Sequence, residues 1–258
     1  MFTACRTVKK KIFRLEDHLD RLYYSASSLQ MVPPLQRDRL RNLLNEIVKK
    51  NLEINDTDDL VIDVIFSGGL SGNTMKQSGK GAHLYVAVQE MERPPSELYE
   101  KGVSLATYVH QRMCPDVKLM NYVGAVLAHQ TVIPMYEAYE VLFVCPSDHR
   151  TVLEGSTFTI FFVNSNGNVL TPPLDGKILD SVTRRAILEI LRLSKQFKIL
   201  EAPITLDMIP SCPEAFLAST TRNVLPVTRI DDKTIGDGMP GPVTKAIMKI
   251  FEDYLNSC

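Results

Sequence analysis

The amino-acid sequence predicts an α+β fold in two domains, and three observations support this prediction. Apolar residues recur at helical spacing near both ends of the chain. Runs of β-branched and aromatic residues, each of strand length, lie between these helical segments. A pair of prolines, Pro94-Pro95, stiffens and extends the backbone and is typical of a linker. We therefore expect a smaller N-terminal domain over 1–92, a linker over 93–96 and a larger domain over 97–258.

The N-terminal part predicts two helices followed by two strands. An apolar stripe that starts at Leu15 indicates a helix ending before Pro33, and a second helix is expected over 35–50. The strands are expected at 60–66 and 83–88. The Gly- and Ser-rich segment between them, 67–82, predicts a hairpin loop or flap, and long loops of this kind often border binding sites.

The C-terminal part predicts strands interleaved with three helices. One helix should follow Lys118 and run to about Val132, one should begin near Ser181 or Val182, and an amphipathic helix should follow Pro242. Strands are expected at 103–109, 140–144, 158–163 and 215–217. Residues 164–167, Asn-Ser-Asn-Gly, are typical of a hairpin turn.

Composition narrows the class of protein. The 258 residues are 45% hydrophobic and carry a formal net charge of −1, so the chain lacks the basic character of a protein that binds nucleic acid or an anionic membrane. No apolar stretch is long enough for a transmembrane helix or a signal peptide, which predicts a cytoplasmic protein. The five cysteines are scattered and odd in number, which favours reduced thiols, and no metal site is expected.

Lys118 is the first candidate functional residue. It lies in an apolar setting, ahead of the run 123–128, and is the sole lysine between Lys101 and Lys177. A desolvated lysine loses basicity and becomes a nucleophile that condenses with a carbonyl group. The alternative is a lysine at the start of a helix, with its stem buried and its ammonium group in water.

Arg21 and Glu154 are candidates for ionic contacts. Arg21 is predicted on the flank of the apolar stripe of the first helix, where its guanidinium could reach an anion. The alternative is a surface arginine paired with Asp17 or Asp20. Glu154 precedes a glycine and a buried strand, so its carboxylate would need a cation or hydrogen bonds. Its alternative is an exposed glutamate at a hairpin edge.

Two segments could bind an anion. The helix that begins near Val182 would present its first amides and the hydroxyl of Thr183. Ser219 and Thr220 follow a predicted strand, and such a hydroxyl cluster can surround a phosphate, although a plain turn explains it equally well.

These features occur in a definite order along nearly the whole chain. The order comprises Phe13-Arg14-Leu15-Glu16-Asp17-His18-Leu19-Asp20-Arg21-Leu22, Lys118 with Asn121-Tyr122, Glu154-Gly155-Ser156, Val182-Thr183-Arg184, Ser219-Thr220-Thr221, Pro226-Val227 and Ile235-Gly236-Asp237-Gly238. The series resembles the class IV aminotransferases, which are fold-type IV pyridoxal phosphate enzymes. The family includes branched-chain aminotransferase, D-amino acid aminotransferase and aminodeoxychorismate lyase. The resemblance implies a smaller N-terminal α/β domain, a larger C-terminal pseudo-barrel α/β domain and a homodimer.

The resemblance also implies roles for individual residues. Lys118 would form the Schiff base with pyridoxal 5'-phosphate and later move the α-proton. Arg21 would bind the phosphate, Glu154 would hold the pyridine nitrogen protonated, and Tyr122 would hydrogen-bond the phenolic oxygen. The remaining phosphate contacts would come from amides and hydroxyls of Val182, Thr183, Ser219 and Thr220.

The implied activity is an aminotransferase acting on an amino acid, branched-chain-like in pattern, and a 2-oxo acid. Two alternatives stay open: an aminodeoxychorismate lyase that releases pyruvate, and a non-catalytic member of the family truncated at the N-terminus. Family members carry a longer N-terminal segment that supplies an edge strand and part of the substrate pocket. In addition, residues 66–73 lack the Arg and His with which D-amino acid enzymes bind the substrate carboxylate, so a D-amino acid preference is disfavoured.

Overall fold

The structure, a computed structural model, describes residues 1–54, 57, 59–69 and 81–258. Its described residues form two compact units. Unit 1 spans 1–92 together with 116–120 and residue 258, and unit 2 spans 93–115 and 121–257. The predicted loop over 67–82 lies largely outside the described residues, because its positions 70–80 are not among them.

Unit 1 is an antiparallel sheet packed with two helices. Its described sheet has the strand order β2-β1-β3-β4. The strands are β1 (Phe2–Val8), β2 (Lys11–Ile12), β3 (Leu60–Ser67) and β4 (His83–Glu90). The helices are α1 (Leu15–Ser28) and α2 (Arg37–Ile54). These elements confirm the two helices and two strands predicted from the apolar patterns, and the described sheet has two further strands near the N-terminus, β1 and β2.

The core of unit 1 follows from strand alternation. Successive side chains of a strand point to opposite faces, so Leu60, Ile62 and Val64 of β3 enter one apolar cluster with residues of α1 and α2. Helix α1 ends where Gln30 takes a left-handed conformation with φ 52°. The N–H of Met31 then bonds to the carbonyl oxygen of Ala26 at 2.8 Å and closes the last turn.

Unit 2 is built on a mixed sheet. In the described residues its strand order is β10-β9-β8-β11-β12-β5-β6-β7, and β13 pairs with β12. The strands are β5 (Val103–Val109), β6 (Glu140–Val144), β7 (Val152–Gly155), β8 (Thr159–Val163), β9 (Val169–Thr171), β10 (Ile199–Glu201), β11 (Glu214–Ser219), β12 (Asn223–Ile230) and β13 (Lys233–Thr234). The helices are α3 (Ser96–Lys101), α4 (Val123–Tyr136), α5 (Val182–Ser194) and α6 (Pro242–Ser257). The predicted hairpin turn at 164–167 is confirmed, since β8 and β9 pair antiparallel across it.

The predicted domain boundaries differ in detail from these units. Helix α3 starts at Ser96, the last residue of the expected linker. The segment 116–120, which carries Lys118, groups with unit 1, although the sequence places it within 97–258. The reason is a contact distant in sequence: the N–H of Phe2 donates to the carbonyl oxygen of Lys118 at 3.0 Å.

Two further sequence expectations concern membrane-spanning helices and the state of the cysteines. Among the described residues, no helix combines the length and the apolar content needed to cross a bilayer. All five cysteines are free thiols in the structure.

Candidate active site

Lys118 is attached to both layers of unit 1. Its carbonyl oxygen accepts from the N–H of Phe2, and its own N–H donates to the hydroxyl of Ser25 on α1 at 3.4 Å. Its Nζ lies 4.5 Å from the centre of the Phe2 ring, which attracts a cation through its negative face. The side chain is half-buried, and helix α4 begins only at Val123, so the backbone of Lys118 is held by β1 and α1 and not by a helix of its own.

Arg21 is buried, with 6% of its surface exposed. Its guanidinium donates to the hydroxyl of Thr3 at 3.1 Å, and that hydroxyl lies 2.8 Å from Nδ1 of His18. The alternative of a surface arginine is wrong, because the Arg21 side chain is buried.

Glu154 is a buried carboxylate at the end of β7 and not an exposed one. Its Oε1 accepts from Nε of Arg112 at 2.9 Å and from a terminal nitrogen of the same guanidinium at 2.6 Å. Its Oε2 accepts from the N–H of Leu179 at 3.2 Å. Burial of this charge is therefore balanced by a protein cation that sequence reasoning did not identify.

Gly155, which follows Glu154, leaves room for the aromatic ring of Phe158. A Cβ built at Gly155 would lie 2.0 Å from an atom of the Phe158 ring. A side chain at this position would force the Phe158 ring to shift, so glycine directly after Glu154 allows the ring to pack closely against the backbone. The same ring lies 5.6 Å from the guanidinium carbon of Arg222.

The start of α5 presents backbone donors. Ser181 is the N-cap, and its hydroxyl accepts from the N–H of Arg184 at 3.3 Å. The N–H groups of Val182 and Thr183, in the first turn, have no acceptor within the helix, as in every α-helix. Together with the helix dipole they form a donor set that suits an anion.

Ser219 ends β11, which packs against α5. Its hydroxyl oxygen accepts from the N–H of Arg222 at 3.3 Å and from Nε of the same residue at 3.0 Å. With both acceptor positions occupied, the hydroxyl proton is left to point away from Arg222. Ser219 is thereby prepared as a donor, which again fits an anion. Thr220 is half-buried in the turn between β11 and β12.

Arg222 is itself held by a buried carboxylate. One of its terminal nitrogens lies 3.2 Å from Oε2 of Glu140, and another donates to the hydroxyl of Thr157. The other carboxylate oxygen of Glu140 accepts from Ser156 at 2.8 Å and lies 2.6 Å from Nε2 of His129. This network fixes the guanidinium that orients Ser219.

The predicted residues divide between the two units. Arg21 and Lys118 belong to unit 1; Tyr122, Glu154, Val182, Thr183, Ser219 and Thr220 belong to unit 2. Tyr122 caps the start of α4 and packs against the apolar cluster beside that helix.

Each unit by itself supplies chemical groups that fit pyridoxal phosphate. Unit 1 has a buried guanidinium, at Arg21, that suits a phosphate and a half-buried amine, at Lys118, that suits an aldehyde. Unit 2 has the α5 amides and the hydroxyl of Ser219, which suit a phosphate, and the carboxylate of Glu154, which suits a protonated ring nitrogen. The residues present therefore fit this group.

Sequence reasoning missed Arg112, Arg222, Thr3 and His18. The buried charge of Glu154 signalled that a cation was needed, but 29 lysines and arginines were available to supply it. Arg222 follows the hydroxyl cluster directly, and that adjacency was the available signal.

Comparisons with known proteins agree on one family. The sequence model described as amino-transferase class IV matches residues 1–230. A branched-chain-amino-acid aminotransferase of Pseudomonas aeruginosa is 29% identical over 95% of this chain and 79% of its own length. A D-alanine aminotransferase of Listeria monocytogenes is 26% identical over 100% of this chain and 88% of its own. The crystal structure of the T.th. branched-chain amino acid aminotransferase with pyridoxamine 5'-phosphate superimposes with a TM-score of 0.86 at 25% identity, covering 99% of this chain and 85% of that one.

Proposed function

The chain belongs to the class IV aminotransferase family, and on that premise we propose that it moves an amino group between an amino acid and a 2-oxo acid with pyridoxal 5'-phosphate as its cofactor. The observation that carries the proposal is the buried, ion-paired Glu154. A carboxylate kept in the interior by Arg112 and a backbone amide is the kind of partner that a pyridinium nitrogen requires.

The cofactor supplies, when bound, a ring that withdraws electrons from the α-carbon of the substrate. Lys118 would hold the cofactor through its primary amine, and the same nitrogen, Nζ, would serve as the base that moves the α-proton of the substrate. The groups that would suit the phosphate are the guanidinium of Arg21 in unit 1 and, in unit 2, the first amides of α5 and the hydroxyl of Ser219. Glu154 would keep the pyridine nitrogen protonated. Tyr122 and Thr220 complete the set of binding residues in this proposal.

The first experiment asks whether Lys118 holds the cofactor. Purified protein mixed with pyridoxal phosphate should show a visible absorbance band near roughly 410–430 nm, the range of a protonated imine. Reduction with borohydride, followed by peptide mass spectrometry, should find the label on Lys118. Lys118→Ala should lack the band, whereas the matched variant Lys101→Ala, at an exposed surface lysine paired with Glu97, should retain it. A label on another lysine would contradict the proposal.

A second experiment separates transfer from elimination. Addition of an amino acid should convert the visible band to the pyridoxamine form, and a 2-oxo acid should restore it. Release of pyruvate from an aminodeoxychorismate substrate, without conversion by amino acids, would instead identify a lyase. No band at all would support the non-catalytic alternative. The comparisons include both branched-chain and D-alanine enzymes, so a branched-chain-like preference stays a prediction, to be tested with a panel of L- and D-amino acids.

We also propose that the protein is a homodimer that uses the outer face of α4. This face carries exposed apolar side chains at helical spacing: Val123, Val126, Leu127 and Met135. Exposed apolar stripes of this kind mark protein interfaces. Leu127→Asp should shift the protein toward monomer in light scattering, whereas Leu193→Asp, at another exposed leucine on α5, should not. Equal masses for both variants and the parent protein would contradict this interface.

A further inference from the structure

A cleft of about 330 Å³ lies in unit 1, between the β1–β2 hairpin and helix α2. Its floor is apolar and consists of Ile12, Val48 and Leu52. Ile12 and Val48 belong to the buried core of unit 1, and Leu52 packs against that core. The volume lies in the range of pockets that hold a small organic molecule. The residues that line this cleft are different from those assigned above to the cofactor.

The rim of the cleft carries more positive than negative charge. The hairpin contributes Lys10 and Lys11, and α2 contributes Lys49 together with one acid, Glu53. Within the part of the chain that the structure describes, the side chains of Lys11, Lys49 and Glu53 form no ion pair. Ammonium groups around one cleft repel each other, and an anion between them lowers this repulsion. The rim therefore suits an anionic group.

Helix α2 presents a polar row beside an apolar one. Asn45, Lys49 and Glu53 follow each other at intervals of four residues, so they form one row along the helix. Val48 and Leu52 form the neighbouring row, which contributes to the floor. Successive members of a row lie about 6 Å apart along the helix axis. A ligand with its anion at Lys49 can therefore extend its body over Leu52 and donate a hydrogen bond to Glu53.

The hairpin places lysines on the opposite wall of the cleft through a tight turn. Val8 and Lys11 are partners in the strand register, so Lys9 and Lys10 form a two-residue turn. Both residues have left-handed backbone conformations, with φ 48° and φ 67°. Such turns usually contain asparagine and glycine, because residues with a larger side chain are strained there. The chain thus has lysines at positions that the local backbone disfavours, next to a cleft in which a cation can bind a ligand.

We propose that this cleft is a binding site for a small phosphate monoester with an apolar or aromatic body. A phosphate monoester carries about −1.5 to −2 charges at pH 7 and has three acceptor oxygens, so it suits several ammonium groups better than a carboxylate does. Its phosphate lies between the hairpin lysines and Lys49, and its body covers the apolar floor. The inference goes beyond the proposed function, because it uses none of the groups assigned to amino transfer.

Protection of single lysines from acetylation tests the proposal on the full chain. The protein is treated briefly with acetic anhydride, with and without phenyl phosphate, and the acetylated peptides are quantified by mass spectrometry. Saturating phenyl phosphate should slow the acetylation of Lys11 and Lys49 by about threefold to tenfold, because a bound anion favours the protonated amine, which does not react. Lys101 and Lys249, exposed lysines of α3 and α6, should react at unchanged rates.

Matched ligands and variants separate the charged rim from the apolar floor. Inorganic phosphate lacks the ring, so about tenfold more of it should be needed for the same protection, and phenol, which lacks the charge, should give none. Lys49→Gln should weaken the protection of Lys11 by about threefold to tenfold, whereas Lys50→Gln, at an exposed lysine of α2 outside the cleft, should not. Leu52→Gln should weaken binding of phenyl phosphate and leave that of inorganic phosphate unchanged.

Three outcomes would overturn the proposal. Unchanged acetylation of Lys11 and Lys49 at all concentrations of phenyl phosphate would mean that the rim is a solvated surface. Equal protection by inorganic phosphate and phenyl phosphate would mean that the apolar floor takes no part. Protection by phosphatidylcholine vesicles that contain phosphatidic acid, without protection by phenyl phosphate, would indicate a membrane surface as the partner. None of these readouts depends on the visible band of pyridoxal phosphate, so the proposed function and this site can fail separately.

Discussion

The Arg112–Glu154 ion pair gives the sharpest prediction about stability. The side chains are 14% and 9% exposed, so replacing Arg112 with Met removes the cation beside a buried carboxylate, which keeps the amide donor of Leu179. Removing one member of a buried pair costs about 3–5 kcal/mol, and we expect the lower end because the N–H of Leu179 remains. For a chain of this size the Tm should fall by about 6–12 °C.

The assay is thermal unfolding of the apoprotein, followed by circular dichroism, in a double-mutant cycle. Glu154→Gln combined with Arg112→Met should recover most of the loss, because no uncompensated charge remains. Pyridoxal phosphate should raise the Tm of Arg112→Met by more than it raises that of the parent protein, since the pyridinium replaces the missing cation. A loss in Arg112→Met smaller than about 1 kcal/mol, or one that Glu154→Gln does not relieve, would refute the reasoning.

Three other predictions concern single positions. Arg222→Met removes the Nε donor to the hydroxyl of Ser219. The dissociation constant of pyridoxal phosphate should then rise by about tenfold in an absorbance titration. An unchanged constant would show that this hydroxyl does not need Arg222 to orient it. Gly155→Ala places a methyl group 2.0 Å from an atom of the Phe158 ring. The free energy of unfolding, measured by urea denaturation, should fall by about 1–3 kcal/mol. An unchanged free energy would mean that the ring moves aside without cost. Burial raises the pKa of the Cys5 thiol to about 12, so this thiol should not react with Ellman's reagent at pH 8 until the protein unfolds, while the two exposed thiols react at once. In the unfolded chain the Cys5 thiol has its ordinary pKa of 9.0. Above that pH the unfolded state therefore binds fewer protons than the folded state. The free energy of unfolding should fall as pH rises from about 9 to 12.

Several elements were predictable because their causes are local. Helix α1 follows from an apolar stripe at helical spacing, and α5 begins at Val182 behind a serine cap, as the residue pattern predicts. The hairpin at 164–167 follows from turn residues. The α+β class follows from the sum of such segments, and the structural relatives confirm it.

Other features depended on residues far apart in the chain. Arg21 had a plausible surface partner four residues away and another one residue away, and only the packing of α1 against Thr3 shows that it is buried. Glu154 needed a cation, yet its position 42 residues from Arg112 carries no local signal of the pairing.

The sequence by itself determined the order of the chemical groups: an arginine, a lysine, a glutamate, a helix start and a hydroxyl cluster, in the series that the family requires. Spacing along the chain and residue type are enough for that, because helices, turns and capping depend on neighbours a few residues away. The tertiary structure decided which charges are buried and which groups balance them. Electrostatic balance depends on distance and burial in space, and these are set by contacts between strands and helices that the order of residues does not contain.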